Sequence, residues 1–336
     1  MTPEQGARIL AEDWLQLRRE EVVHYITDET RLPEARAFLA AAERAGAVTK
    51  LTVLDSGAVQ EADAIEAMRG IMSYANVIVG ATNYSFVTTD AVQYALARGA
   101  RFLSLPLSTN DGSSLLTNDF LAMDPGRAAA LARPMVRALE RSDTIRVTTA
   151  LGTDITFSKA GRKTGVFTGR AARPGACASA SFEVYVPVVE DSACGRVVLD
   201  GSLGYLGLVR APLALDFAGG RLVRIADTAD GARLRAYLDS FADPEMTVAA
   251  EFGIGLNECA RCRGVAYIED ESAAGTFHIG FGRNLALGGR HDAAGHFDLV
   301  TRAPTITAGK TTLMRAGVRA PSALARLLGR ADPRIV

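Results

Sequence analysis

The sequence has no excess of either charge. Its 336 residues carry 37 basic and 38 acidic side chains, a formal net charge of −1. A nucleic-acid binder normally shows a basic surplus, so nucleic acid is not the expected partner. Long apolar runs are also missing. Arg, Asp or Gly interrupts every one well short of the roughly 18 residues a membrane span needs, and no membrane association is expected. The N-terminus, MTPEQGARILAEDW, has acids early and no apolar core of a signal peptide, which predicts a cytoplasmic protein. Cysteine is sparse: Cys177, Cys194, Cys259 and Cys262. Cys259 and Cys262 form a CxxC, but a structural zinc site usually needs a second such pair. The expected state is reduced thiols without zinc.

Familiar catalytic signatures fail as well. Gly309-Lys310-Thr311 lacks the earlier glycine of a phosphate loop, because Pro304 stands there. Gly253-x-Gly255 and Gly280-x-Gly282 lack the third glycine of a dinucleotide fingerprint. There is no G-x-S-x-G and no H-E-x-x-H.

What is present divides into two halves. Strand readings at 21–27, 49–54, 76–79 and 101–105 alternate with helical readings at 33–45, 58–72 and 89–98. That alternation predicts βαβ units and an open parallel α/β sheet over residues 1–142. A helix over 125–141 leads out of it. Residues 143–336 switch to short alternating segments rich in glycine, including a hairpin around Gly219-Gly220 and a strand-like GVAYIED. One helix, over 228–241, interrupts. The second half is read as a β-rich α+β domain that binds metal, and the Arg-rich tail 315–334 as a solvated face.

Four histidines occur, three of them between 278 and 296. In Thr276-Phe277-His278-Ile279-Gly280-Phe281 the apolar residues share one strand face, and His278 shares the other with glycine. His296 and Asp298, two apart, also share a face. Glu183 and Glu251 repeat the pattern, each opposite apolar neighbours. Imidazole and carboxylate are the ligands of catalytic divalent metals. Taken singly, each of these residues also reads as a surface acid or a hydrogen-bonded core histidine. His291, in an Arg-His-Asp loop, is set aside.

Taken in order, several stretches resemble the aminopeptidase T / aminopeptidase S metallopeptidases. They are ATNYSFVTTDAVQYALARGARFLSLP, GTDITF, FEVYVPV, GRVVLDGSL, AEFGIGLN, GTFHIGFG and HFD. The resemblance implies one or two divalent ions (Zn, Mn or Co) held by Glu183, Glu251, His278, His296 and Asp298. It implies a metallohydrolase that cleaves a C–N amide bond of a short peptide or small molecule with metal-activated water, in a homodimer. Glu251 would bridge the metals, and Glu183 would be a ligand or the general base, so these two are the expected catalytic carboxylates. The chain departs from that family at Leu285, where the family has a catalytic tyrosine. A second family of the same fold, 2,5-dihydroxypyridine 5,6-dioxygenase, is resembled in FADPE (241–245), GIG (253–255) and the terminal H-x-D. It implies a mononuclear iron enzyme with a ligand set of two histidines and one aspartate. Glu251 stands where that family has its first histidine, and His278 is the candidate to complete a new triad with His296 and Asp298. A binding or scaffold protein that has lost activity is the third reading.

Overall fold

The computed structural model describes residues 1–55 and 62–321. The start of the helical reading over 58–72 and the tail from residue 322 lie outside the described residues. The first sheet is parallel throughout. Its strand order is Val48–Leu54, Val22–Asp28, Val77–Ala81, Arg101–Ser104, Cys177–Ser179. Val77–Ala81 is buried along its whole length, as a strand covered on both faces must be. Helix Leu32–Arg44 packs against this sheet and ends at Gly46, whose φ of +87° suits glycine. Helix Asp90–Ala97 follows the third strand. The helical reading at 58–72 resolves into Ala62–Ala67 and Arg69–Met72. The last strand, Cys177–Ser179, comes from beyond residue 142. At three residues it carries too little alternation to be legible as a strand.

Two antiparallel sheets form the rest. The larger, of eight strands, runs Arg221–Ile225, Leu213–Ala218, Cys194–Leu199, Asp154–Ser158, Thr144–Thr148, Thr305–Ala308, Thr311–Arg315, Val318–Arg319. The hairpin around Gly219-Gly220 joins its first two strands, with both glycines at positive φ. The smaller sheet, called here the site sheet, runs His296–Arg302, Thr276–Gly282, Ala249–Gly255, Phe182–Pro187, Gly165–Thr168. Its apolar face meets the large sheet: Phe157 of the large sheet packs on Phe252 and Phe277, with ring centroids 6.0 and 6.1 Å away. Phe217 meets Phe281, which stacks on Phe297 at 5.2 Å. One core runs from the N-terminal segment through both antiparallel sheets, with a smaller cluster on the other side of the parallel sheet.

GVAYIED is not a strand. Tyr267–Ser272 forms a short helix, and all six of its residues are buried. Three consecutive acids there interrupt a strand's alternation, and two of them serve the preceding loop. Glu269 takes the Arg263 guanidinium at 2.9 Å and the Arg261 N–H at 3.0 Å. Asp270 accepts the N–H groups of Arg263 and Gly264, and burial pushes its carboxyl up to about 6.

The halves are stitched together at Arg101, whose side chain is 3% exposed. It donates to the carbonyls of Leu15 and Ala171 and pairs with Glu21 at 2.6 Å. Trp14, one residue before Leu15, packs edge-on against Phe182 at 5.0 Å. Removing one partner of a buried pair strands the other and the carbonyls around it. Arg101→Ala should therefore lower the unfolding free energy by about 3–5 kcal/mol in urea denaturation. A loss under about 1 kcal/mol would mark Arg101 as the kind of pair that contributes little.

Candidate metal centre

Strand pairing brings the acids and histidines together. On the site face, Glu251 lies opposite Gly280, and Gly280 lies opposite Asp298. The glycine separates the two carboxylates. Two residues along, on the same face, Gly253 lies opposite His278. A Cβ on Gly280 would stand 2.7 Å from Asp298 Oδ1 and 3.0 Å from His296 Cε1, and one on Gly253 would stand 1.7 Å from His278 Nε2. Neither position admits a side chain while the ligand groups hold their places.

The five residues form two groups that share Glu251: Glu183, Glu251 and His278 in one, Glu251, His296 and Asp298 in the other. Glu251 Oε2 lies 3.1 Å from His296 Nε2, and Glu251 Oε1 lies 3.9 Å from His278 Nε2. His296 Nε2 is 3.6 Å from Asp298 Oδ2. His278 Nε2 is held by Glu183 Oε2 at 2.7 Å. His278 therefore falls with Glu183 rather than completing a triad with His296 and Asp298. Its place in the register, opposite Val300 rather than Asp298, is the reason.

Supporting contacts orient the second group. His296 Nδ1 donates to the Arg283 carbonyl at 2.9 Å, which leaves Nε2 as the ligating atom. Asp298 Oδ2 accepts the Tyr267 hydroxyl, while Oδ1 is buried without a hydrogen-bond partner. Ser181 Oγ donates to Glu183 at 2.6 Å. A buried, unpartnered carboxylate oxygen beside an imidazole and a second carboxylate, with glycine where a side chain would fill the gap, fits a divalent cation.

The electrostatics agree with that demand. Burial works against protonation of His278, but the Glu183 carboxylate and its hydrogen bond outweigh it and hold the imidazole well above its usual pKa. His296 is raised the same way, burial being overcome by Asp298 and Glu251. Burial pushes the Glu183 carboxyl up, against the pull of His278. Asp298 is buried too, yet His296 and His278 hold it well below the usual carboxylate range.

Two residues at the site went unnoticed in the sequence. Tyr267 and Glu271 lie one helical turn apart and both line the cleft above the ligands. Glu271 Oε2 is buried without a hydrogen-bond partner. Burial, with Asp298 and Glu183 nearby, lifts its carboxyl well above the usual range. The only signal was the (i, i+4) spacing of Tyr267 and Glu271, which a strand would hold about 13 Å apart and a helix brings within one turn. Leu285 lies in the short helical turn Leu285–Leu287 and is 41% exposed.

The far wall of the cleft is the carboxyl edge of the parallel sheet. Ser85, Phe86 and Thr88 follow its third strand, Pro106 its fourth, and Ser181 its fifth. That edge is where open α/β sheets place ligands. Together the two sheets define a candidate cation-dependent enzyme site at a two-sheet junction. The chain belongs to the 2,5-dihydroxypyridine 5,6-dioxygenase (NicX) family, whose profile matches residues 13–320. Its fold is similar to that of the 2,5-dihydroxypyridine dioxygenase from Pseudomonas putida KT2440, with a TM-score of 0.79 and 18% identity over 96% of this chain and 99% of that one. It is also similar to wild-type AmpT from Thermus thermophilus, with a TM-score of 0.64 and 16% identity over 95% and 99%. None of the curated proteins matches the sequence. At these identities the two structures speak for the fold alone.

The family overturns the metallohydrolase expectation, and with it the aminopeptidase and metalloprotease readings. The error has a chemical cause. Carboxylate and imidazole donors suit zinc, manganese and iron alike, so the ligand types that suggested hydrolysis do not distinguish it from oxygenation. No helix among the described residues is long and apolar enough to cross a membrane.

Two outcomes test the centre. Gly280→Ala should weaken Mn(II) binding by at least about tenfold in calorimetric titration. Gly70→Ala, at a position where a Cβ meets nothing within 4 Å, should leave it unchanged. Imidazole must be neutral to ligate, and His278 and His296 hold their protons more tightly than usual. Metal uptake near neutral pH should therefore release protons, and affinity should fall as pH is lowered. Titrations in buffers of different ionisation enthalpy would reveal the release, and a heat independent of buffer would contradict it.

Proposed function

We propose that the protein is an iron-dependent ring-cleaving dioxygenase acting on a small hydroxylated aromatic ring. The observation that carries this reading is the group of Glu251, His296 and Asp298 at the floor of a cleft of about 140 Å³. A cavity of about 150 Å³ takes up benzene, so the cleft suits one ring and not an extended peptide. Family membership supports the same chemistry.

Glu251, His296 and Asp298 would hold one ferrous ion, with Glu183 and His278 keeping Glu251 in place from the other side. The set has one histidine and two carboxylates where the related facial triad has two histidines and one. When bound, ferrous iron supplies the one-electron redox chemistry that lets dioxygen react with a closed-shell ring. The protein's own groups do the rest. Tyr205, stacked on Tyr267 at 4.3 Å, and Phe167 flank the ring and exclude water. Tyr267 steadies Asp298 through its hydroxyl. Glu271 keeps a proton at the wall of the cleft and is the group placed to exchange it with a ring oxygen.

Protein reconstituted with ferrous iron should consume dioxygen together with the ring absorbance of a dihydroxypyridine or a dihydroxypyridine carboxylate, at about one iron per chain. Asp298→Ala and His296→Ala should each lower that rate by about 100-fold or more, since each removes a ligand. Ring loss without oxygen uptake, or full activity with zinc, would sink the reading.

A further inference from the structure

We propose that Arg283 selects the substrate, and that the ring it selects bears a carboxylate. This rests on the oxygenase reading for the identity of the site but concerns a different part of the substrate. Arg283 follows the strand Thr276–Gly282 and lines the cleft. Its backbone is fixed at both ends: its N–H donates to the Gly295 carbonyl at 2.7 Å, and its own carbonyl accepts from His296 Nδ1 at 2.9 Å. The side chain is thus planted beside the ligand group and cannot shift at its root without moving His296.

The guanidinium is underused. Its side chain is 22% exposed, and its one ionic partner among the described residues is Asp292 Oδ1, 3.3 Å from Nε. Asp292 is itself 71% exposed, so water screens the pair and an incoming anion can replace it. Arg31, Arg101 and Arg162, all more deeply buried, each engage two or more partners. Arg283 also pairs with none of the acids that line the same cleft, Glu183, Glu251, Glu271 and Asp298. A planar guanidinium with its forked donors free matches a carboxylate, bidentate and in plane. With the ring between Phe167 and Tyr205, an acid group on Arg283 would decide which ring edge faces Glu251, His296 and Asp298.

The test is a pair of ligands with the same ring and different charge. Nicotinate and nicotinamide are titrated calorimetrically into the as-purified protein, into Arg283→Met and into Arg283→Lys. Nicotinate should bind the wild type at least about tenfold more tightly than nicotinamide. The preference should fall to within about twofold in Arg283→Met and persist in part in Arg283→Lys. Thermal melting of the three proteins should coincide, separating lost recognition from lost folding. Equal affinity for the two ligands in the wild type, failure of nicotinate to bind, or a preference that survives Arg283→Met would each overturn the proposal. Oxygen uptake by the iron-loaded protein is measured separately. A preference for nicotinate without any oxygen uptake would leave the role of Arg283 intact and remove only the oxygenase reading.

Discussion

The burial of three carboxylates and two imidazoles on one face of one sheet is the constraint on which the structure turns. Glu183, Glu251, His278 and Asp298 are each 5% exposed or less. An isolated charge in such a place would be costly. Here each charge faces an opposite one: Glu183 faces His278, and Glu251 and Asp298 face His296. The pairing is incomplete, since Asp298 Oδ1 and His278 Nδ1 lack hydrogen-bond partners. Groups arranged for mutual neutralisation but left short of it are what a cation site requires.

The rest of the architecture follows from that face. The opposite side of the site sheet is mostly apolar, with Thr301 an exception, and the large antiparallel sheet covers it through Phe157 and Phe217. The polar side cannot be covered the same way without closing the site. It is met by the carboxyl edge of the parallel sheet, which supplies loops and hydroxyl groups in place of a flat apolar surface. The strand Cys177–Ser179 ties the two sheets together. It belongs to the parallel sheet by hydrogen bonding, yet three residues later the chain enters the site sheet at Phe182. Ser181, in the link between them, donates to Glu183.

The centre also explains why ligand types alone misdirect. Glu251 occupies a position for which the dioxygenase resemblance expects histidine, and that one exchange makes the set look hydrolytic. The structure places Glu251 between two imidazoles, facing each with a different oxygen. A carboxylate there keeps one contact to each side, which a single imidazole nitrogen could not. Around the candidate centre lie a cleft of about 140 Å³, an aromatic pair at Tyr205 and Tyr267, and the buried acid Glu271.

By itself, the sequence determined the elements whose signal is local. Alternation put Phe277, Ile279 and Phe281 on one face and His278 on the other, because strand side chains alternate with a period of two. The βαβ pattern announced the parallel sheet, and Gly219-Gly220 announced its hairpin. Tertiary structure alone decided matters that depend on strand order and register. Pairing placed Gly280 between Glu251 and Asp298, and grouped His278 with Glu183 instead of His296. It returned residues 177–179 to the first sheet, and it folded GVAYIED into a buried helix that turns Tyr267 and Glu271 toward the ligands. These outcomes rest on contacts between residues tens to more than a hundred positions apart. No local periodicity records them, because their stabilisation comes from surfaces that exist only once the sheets have assembled.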